Sequence, residues 1–318
     1  MFVLLTNHKG MVSCYMKKMI EPPFNYTGSK FKMLEQIIPL FDPTCSRFVD
    51  VFAGGGSVYA NVVDHYPAVV ANDIIYHLID VQRRLVSDPA ATIAMTQSLC
   101  VTKEDQPGYH RLRDDFNAQP TPEKLWALMC CCTNNMMRFN RSWKFNQTFG
   151  RRTFNERTLA KATAFAAHLM PHLPKLTFQS LDFEKVNVQS GDMLYVDPPY
   201  SNTEAGYNAY WNKNDDVRLF NWLCQVHDKG AKFAVSGVTI HAGVRCRLLD
   251  LLAETGFVGV PLQGDYNKVS RSGPKEDTQE VLMLSYVPET FKPVSIKMPA
   301  PQQNIEPTAL VALDMALA

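Results

Sequence analysis

The chain has 318 residues, of which 46% are hydrophobic and 20% are charged, so it has the composition of a globular protein with one large core or two modest ones. Its net charge is +1, and any affinity for nucleic acid must therefore come from a local basic patch. No apolar run approaches the roughly 20 residues that span a bilayer, which excludes a membrane-embedded class.

The first predicted elements are a strand, a glycine-rich turn and a second strand. Residues 1–23 lack the charge order of a signal peptide, and we predict that they form a poorly ordered leader. Residues 47–52 form an apolar strand that runs into a turn beginning near Gly54, and a second strand, residues 68–71, leads to Asp73. Such a turn allows a ligand to approach the backbone, and an acid after the second strand can bind ribose hydroxyls.

This pattern predicts half of a nucleoside-cofactor site, although other interpretations remain open. A plain tight turn would use the same glycines. A dinucleotide fingerprint would also share them, but Tyr59 stands where the third glycine of that fingerprint belongs, which weakens a nicotinamide interpretation.

Residues 87–174 have helical patterns and few strand signals, and we predict a helical insertion between two halves of a sheet. Its end is basic and interleaved with aromatic side chains. The positive residues are Arg138, Arg141, Lys144, Arg151, Arg152 and Arg157. Cations bind phosphates without regard to sequence, and arginines in the major groove can read guanine. A solvated basic hairpin with its own small aromatic core fits the same pattern, so both interpretations stay open.

The most informative segment is Asp197-Pro198-Pro199-Tyr200, which follows a predicted buried strand at 192–196. An exocyclic amine on a base is a poor nucleophile, and a site that methylates it must hold its two N–H groups. The Asp197 carboxylate and the Pro198 carbonyl can accept them, because consecutive prolines hold that carbonyl away from a strand ladder. Tyr200 can stack on a base that has left the duplex. A Pro-Pro turn that merely ends a strand is the alternative.

The remaining signals complete the fold prediction. Strands alternating with helices predict an α/β fold with a mostly parallel sheet, and the last two strands predict an antiparallel hairpin at one edge. The further strands are predicted at 176–178, 232–235, 257–262 and 280–286, with a helix at 215–229. Residues 289–318 are proline-rich, and we predict an extended or disordered tail. The eight cysteines have no CxxC or zinc-type spacing, so we predict reduced thiols and no metal.

In this order, the motifs resemble the Dam-type DNA N6-adenine methyltransferases of the D12 class, alpha group, and most closely the phage-encoded members. The resemblance covers about residues 24–287. The matching segments are residues 25–30, 48–55, 72–73, 135–140, 149–153, 197–200 and 277–281.

The resemblance implies a Rossmann-like catalytic domain, residues 24–86 and 175–288, that binds S-adenosyl-L-methionine. It also implies that residues 87–174 recognise the target in double-stranded DNA, commonly adenine in GATC, in a bacterial or phage-infected cytoplasm. Methyl transfer to a flipped adenine would be direct and would need no metal. The oligomeric state stays open.

Residue roles follow from the same resemblance. The implied cofactor-binding residues are Tyr26, Lys30, Phe52, Gly54, Asp73, Asp182, Phe183, Asp197 and Tyr207. Asp73 is expected to hold the ribose, and Asp182 with Phe183 the adenine of the cofactor. The implied catalytic residues are Asp197, Pro198 and Tyr200, and the implied DNA-binding residues are Met136, Arg138, Arg151 and Arg152.

Three alternatives remain at this stage. A nicotinamide oxidoreductase would share the glycine turn and Asp73 but gives no role to residues 197–200. A catalytically silent DNA-binding protein would keep the fold without the reaction. An enzyme of the same kind with another target, either a different adenine site or the amino group of cytosine, would differ only in recognition.

Overall fold

The computed structural model describes residues 3–6, 19–26, 28–201, 211–241, 243–263, 279–288 and 292–295. Its β-strands, in chain order, are β1 (Val3–Thr6), β2 (Arg47–Asp50), β3 (Ala68–Asn72), β4 (Leu176–Gln179), β5 (Asp192–Val196), β6 (Lys232–Val238), β7 (Ile240–His241), β8 (Val244–Arg245), β9 (Val258–Leu262), β10 (Glu280–Leu284) and β11 (Lys292–Ser295).

Helices connect these strands. The α-helices are α1 (Leu34–Ile37), α2 (Tyr59–Val62), α3 (Tyr76–Ser87), α4 (Pro89–Leu99), α5 (Gln106–Ala118), α6 (Pro122–Cys131), α7 (Glu156–Leu169), α8 (Lys213–Asp228) and α9 (Arg247–Glu254). The 3₁₀ helices are Lys30–Met33, Ile38–Leu40, Thr133–Asn135, Met170–Lys175 and Phe183–Lys185. Among these described helices, none has the length and apolar character that a membrane-crossing segment needs.

The main sheet has nine strands in the order β11-β1-β9-β10-β6-β5-β2-β3-β4. From β6 to β4 all neighbours are parallel, whereas β10 runs antiparallel to both β6 and β9. The predicted α/β fold, with a mostly parallel sheet and an antiparallel pair, is therefore confirmed.

Two short strands differ from the prediction. The sequence predicts no strand in residues 1–23, yet β1 pairs with β9 and with β11. The antiparallel pair consequently lies inside the sheet rather than at its edge. Strands of four residues give almost no periodic signal, which explains why both escape prediction. The outermost strand, β11, contains Pro293, and an edge strand tolerates proline because one side of its backbone has no partner to bond.

The sheet is buried on both faces, as expected of a parallel sheet covered by helices. Every residue of β5 is buried, and its neighbours in sequence point to opposite sides. Tyr195 packs in one hydrophobic cluster with residues of α3 to α7, and Leu194 packs in another with residues of α8 and α9. The continuous apolar character of such strands follows from this double burial.

The helices of the insertion share a core with the sheet. Trp126 of α6 and Phe165 of α7 belong to the same buried cluster as Phe48 of β2. Residues 87–174 therefore do not have a separate core, although their assignment as a recognition unit stays a prediction.

The strand order fixes where a ligand site belongs. The chain continues from β2 to β3 on one side, and β5 returns on the other side of β2. In open α/β sheets, ligands bind outside the carboxyl ends of the strands at such a point. The ends of β2, β3 and β5 carry Asp50, Asn72 and Val196, immediately before the predicted site residues.

Candidate functional site

The glycine turn after β2 is closed over by the ring of Tyr26. Gly54 has a φ of +51°, and a Cβ at this position would lie 2.9 Å from Cε1 of Tyr26. A Cβ at Gly55 would lie 2.8 Å from Cβ of Tyr26. A left-handed φ and this close approach both require glycine, so the turn and the N-terminal segment fit only with these residue types. The structure thus brings together two predicted cofactor-binding residues.

Asp73 lies directly beneath the same turn. Its Oδ2 accepts a hydrogen bond from the Gly54 amide at 2.9 Å, and its Oδ1 accepts one from the Ile75 amide at 2.9 Å. Burial raises the pKa of Asp73, and these two amide bonds oppose that effect. Each carboxylate oxygen keeps a lone pair for a further donor such as a ribose hydroxyl.

Asp50, the last residue of β2, is a buried acid with an incompletely bonded carboxylate. Its Oδ2 accepts from the Tyr59 amide at 3.1 Å, but within the described ranges Oδ1 has no hydrogen-bond partner. Burial raises the pKa of Asp50 well above its ordinary value, and the charges of Asp197 and Asp73 add to this. A buried carboxylate oxygen without a donor suits a site that receives a cationic ligand.

Three aromatic rings form a cradle beside the turn. Phe52 lies 6.0 Å from Phe183 and 5.7 Å from Trp211, and the last two rings are 5.8 Å apart, measured between centroids. Such flat apolar surfaces suit a nucleobase. Trp211 is not among the residues predicted from the sequence, since a single tryptophan before a helix carries no motif.

Asp182 has a different environment from the one expected of a free cofactor ligand. Its carboxylate is 3.2 Å from the Arg218 guanidinium, which also lies 4.9 Å above the Phe183 ring. It also accepts from the Glu184 amide at 3.1 Å. Arg218 of α8 therefore fixes both predicted adenine-contacting residues in place.

Asp197 follows β5 and is the most heavily bonded side chain of the site. The Lys30 ammonium contacts both of its oxygens, Oδ1 at 2.9 Å and Oδ2 at 2.8 Å. Tyr200 donates its hydroxyl to Oδ1 at 2.9 Å, and its ring lies 5.2 Å from the Lys30 ammonium. Pro198 is buried directly after Asp197. The predicted catalytic residues and Lys30 are thus assembled at one strand end.

Two further side chains hold Asp197 and were missed by sequence reasoning. Ser236 of β6 donates to Asp197 Oδ1 at 2.8 Å, and its hydroxyl is 3.0 Å from the Tyr195 hydroxyl. Glu280 of β10 lies 3.6 Å from the Lys30 ammonium. These contacts cross between strands, so only the acid at the head of the apolar run 280–284 offers a signal in the sequence.

Asp197 with Lys30, Tyr200, Ser236 and Glu280, which we term the Asp197 cluster, lies on the same edge of the sheet as the glycine turn. The amide of Val51 donates to the carbonyl of Tyr195 at 2.9 Å, which aligns the end of β2 with the end of β5. Tyr26 and Lys30 lie on one segment that contacts both groups. One continuous site therefore runs from the glycine turn to Asp197.

The basic segment forms an irregular hairpin, residues 132–154, which we term the basic hairpin. Isolated antiparallel bridges join Cys132 to Phe149 and Phe139 to Phe145. Phe145 is buried and packs edge-on against Phe116 of α5, with ring centroids 6.1 Å apart. The aromatic side chains anchor the hairpin, while the charged ones remain outside.

The predicted DNA-binding arginines are exposed, and two of them donate to amide side chains. Arg138 donates to Asn146 at 2.9 Å, and Arg152 donates to Asn135 at 2.8 Å. Arg151 adopts a φ of +52°, and Met136 is half-buried. Asn135 also accepts from Asn25 at 3.4 Å, which links the basic hairpin to the segment that carries Tyr26.

Tyr207 and metal binding are the remaining points of the sequence analysis. Tyr207 lies outside the described residues. Within the described ranges, no group of three or more His, Cys, Asp or Glu side chains is arranged to hold a metal ion.

Comparison with known proteins agrees with this geometry. The model of the family described as D12 class N6 adenine-specific DNA methyltransferase matches residues 26–257. The modification methylase StsI of Streptococcus sanguinis is 31% identical over 88% of this chain, which covers 45% of that protein. The type II methyltransferase M.FokI of Planomicrobium okeanokoites is 31% identical over 84% of this chain and 43% of its own length.

A phage protein is also similar. The DNA N-6-adenine-methyltransferase of Escherichia phage P1 is 28% identical over 75% of this chain and 32% of its own length. This chain therefore spans less than half of each of these three relatives.

Proposed function

Because this chain belongs to the D12 class N6 adenine-specific DNA methyltransferase family, we propose that it transfers a methyl group from S-adenosyl-L-methionine to N6 of adenine in double-stranded DNA. The observation that carries the proposal is the assembly of Asp197, Pro198 and Tyr200 at the end of β5, with Lys30 beside them and the glycine turn on the same edge.

The residues present fit the proposed cofactor. Asp73 would hold the ribose, and the rings of Phe52 and Phe183 would flank the adenine. The buried, incompletely bonded Asp50 suits the positively charged methionine end. Tyr26 and Gly54 would enclose the cofactor from the N-terminal side. S-adenosyl-L-methionine supplies an electrophilic methyl group on a sulfonium centre when it is bound.

The side chains around Asp197 would orient the target amine. Asp197 and the Pro198 carbonyl accept its N–H bonds, so that the nitrogen lone pair turns out of conjugation with the ring. These hydrogen bonds strengthen as the nitrogen becomes tetrahedral, which lowers the barrier. Tyr200 is held by its hydrogen bond to Asp197 and offers its ring to the base. Transfer is direct, without a covalent enzyme intermediate.

The basic hairpin would bind the DNA. Its exposed arginines Arg138, Arg151 and Arg152 neutralise phosphates or read base edges, and we assign guanine recognition to Arg152. Met136 fills the stack beside the flipped adenine. Base flipping is needed because the amine is otherwise paired within the duplex. We propose GATC as the target sequence.

The test is a methylation assay with labelled S-adenosyl-L-methionine and paired duplexes that differ only in the presence of GATC. Digestion to nucleosides then identifies the methylated base. We expect N6-methyladenine from the GATC duplex alone. Label in duplexes without GATC would support methyltransferase activity but contradict GATC as the target sequence. Label on cytosine would contradict adenine N6 as the methylated atom.

A silent protein would give a distinct result. Binding of cofactor and DNA without any label would contradict the proposed reaction. Stabilisation of the fold by S-adenosyl-L-methionine but not by NAD, measured as a shift in melting temperature, separates this site from that of an oxidoreductase.

A further inference from the structure

The proposed reaction gives no role to one buried charge, the carboxylate of Glu280. Glu280 begins β10, and the alternation of the strand places it on the same face as Leu282, whose register partner on β6 is Ser236. Its side chain has 0% exposure. A carboxylate buried to this degree is costly unless it is paired, and Lys30 lies 3.6 Å away.

The two oxygens of Asp197 are used unequally. Oδ1 accepts from Lys30, Tyr200 and Ser236, at 2.9, 2.9 and 2.8 Å. Among the residues that the structure describes, Lys30 is the single donor to Oδ2. A carboxylate oxygen offers about two lone pairs. Oδ2 is therefore the oxygen with capacity for an incoming N–H.

An incoming N–H at Oδ2 would lie beside the Lys30 ammonium, and the two donors would repel each other because both carry positive charge on their protons. The Lys30 side chain has 5% exposure, so its ammonium cannot leave Asp197 for water without a large rearrangement. Moving it away from Asp197 without another carboxylate would leave a buried charge unpaired, which is strongly unfavourable. A second carboxylate within reach removes this obstacle.

We propose that Glu280 is a positioning residue that receives the Lys30 ammonium when the target amine binds Oδ2 of Asp197. The inference rests on the proposed function, because the incoming donor is the amine of the methylated base. Glu280 acts through Lys30 and does not contact the base.

The charges around Lys30 support this arrangement. Burial by itself lowers the pKa of Lys30, but the charges of Asp197 and Glu280 outweigh it and raise the pKa above its ordinary value. The phenols of Tyr195 and Tyr200 also face the ammonium. Lys30 thus stays protonated between the side chains of Asp197 and Glu280.

The first experiment compares Glu280→Gln with the wild type in single-turnover methyl transfer. We expect the rate to fall about tenfold, equivalent to one pKa unit of lost charge stabilisation, while the dissociation constants for cofactor and DNA change little. Glu280→Asp keeps the charge and is expected to recover part of the rate. Glu123→Gln is the matched control, because Glu123 is also buried but pairs with Arg84. An unchanged rate in Glu280→Gln would overturn the inference.

The second experiment tests the pairing without reference to activity. Unfolding free energies are measured for Glu280→Gln alone and in a Lys30→Gln background. With Lys30 present, loss of the Glu280 charge should destabilise the protein. With Lys30 replaced, two carboxylates face each other, and the same change should stabilise it. Equal effects in both backgrounds would refute the pairing.

The two measurements separate this inference from the proposed function. If the wild type transfers no methyl group, the proposed function fails, and the positioning role fails with it. The unfolding free energies can still show that Lys30 and Glu280 are paired in that case. If the wild type is active but Glu280→Gln keeps its rate, only the positioning role fails.

Discussion

The Asp197 cluster and the basic hairpin differ in how their side chains are held. Beside the half-buried Asp197, the charged groups of Lys30 and Glu280 are buried, and Lys30 contacts both carboxylates, which come from different strand ends. In the basic hairpin, Arg138 and Arg152 are exposed and bond to single amide side chains. The difference indicates that the candidate site is preorganised by the sheet, whereas the basic hairpin, as the proposed recognition surface, would take its working geometry from the DNA it binds.

The largest effect is expected from Asp197→Ala, which removes the carboxylate at the centre of the preorganised site. It removes the acceptor for the target amine, and we expect the rate of methyl transfer to fall by about 1,000-fold or more. The fold should persist because Lys30 keeps Glu280 as a partner. Single-turnover kinetics and thermal unfolding measure the two results. Retention of most of the activity would remove Asp197 from the reaction.

A smaller effect is expected from Arg152→Ala in the basic hairpin. Discrimination between GATC and a duplex with one altered guanine should fall about tenfold, because a bidentate contact to guanine is lost. Cofactor affinity should not change. Arg141→Ala is the control, because Arg141 is exposed in the same hairpin and we expect the loss of its charge to weaken the binding of all duplexes alike. If the Arg152 variant discriminates between the two duplexes as well as the wild type does, another residue must recognise guanine.

The smallest effect is expected at Asp50, a buried acid on the preorganised side of the comparison, where a polar group of the candidate site should lower the stability of the fold at neutral pH. Burial raises the pKa of Asp50, so the folded protein retains a proton that the unfolded chain releases at lower pH. Stability conferred by this group therefore falls as the pH rises from the ordinary Asp range through the raised pKa. Asp50→Asn should remove that decline.

The same variant should lose cofactor affinity. A cationic ligand beside Asp50 lowers the pKa of its carboxyl group and favours the ionised form, so we expect about fivefold weaker binding in Asp50→Asn, or about 1 kcal/mol. Unfolding curves at several pH values and calorimetry provide the two measurements. A variant that loses stability and keeps its affinity would show that Asp50 is purely structural.

Much of the sheet was predictable from local patterns. The strand predicted at 192–196 matches β5 residue for residue, because residues 193–196 form the continuous apolar run that burial on both faces requires. The helix that follows the glycine turn, Tyr59–Val62, is only four residues long and gives little periodic signal. Its length is set by packing against the sheet and α7, which local sequence does not encode.

The site was predictable where a motif lies on one segment. Asp197 and Tyr200 are such a case, whereas Ser236 and Glu280 reach the site only through strand register. The basic hairpin was recognised by its charge, but the left-handed φ of +54° at Asn135 and its bond to Arg152 depend on tertiary contacts. Charge patterns identify a surface but not its shape.

Trp126 and Phe165 pack into the same core as Phe48, and this constrains how the protein can acquire a new target. Exchanging all of residues 87–174 with a relative would open the core of the sheet. The basic hairpin meets that core at Cys132 and Phe154, and between them Met137, Phe139, Phe145 and Phe149 also pack in or against it. Under the proposed function, a chimera cut at those two points that keeps the apolar side chains packed between them should change the DNA that is modified and leave the sheet unaltered.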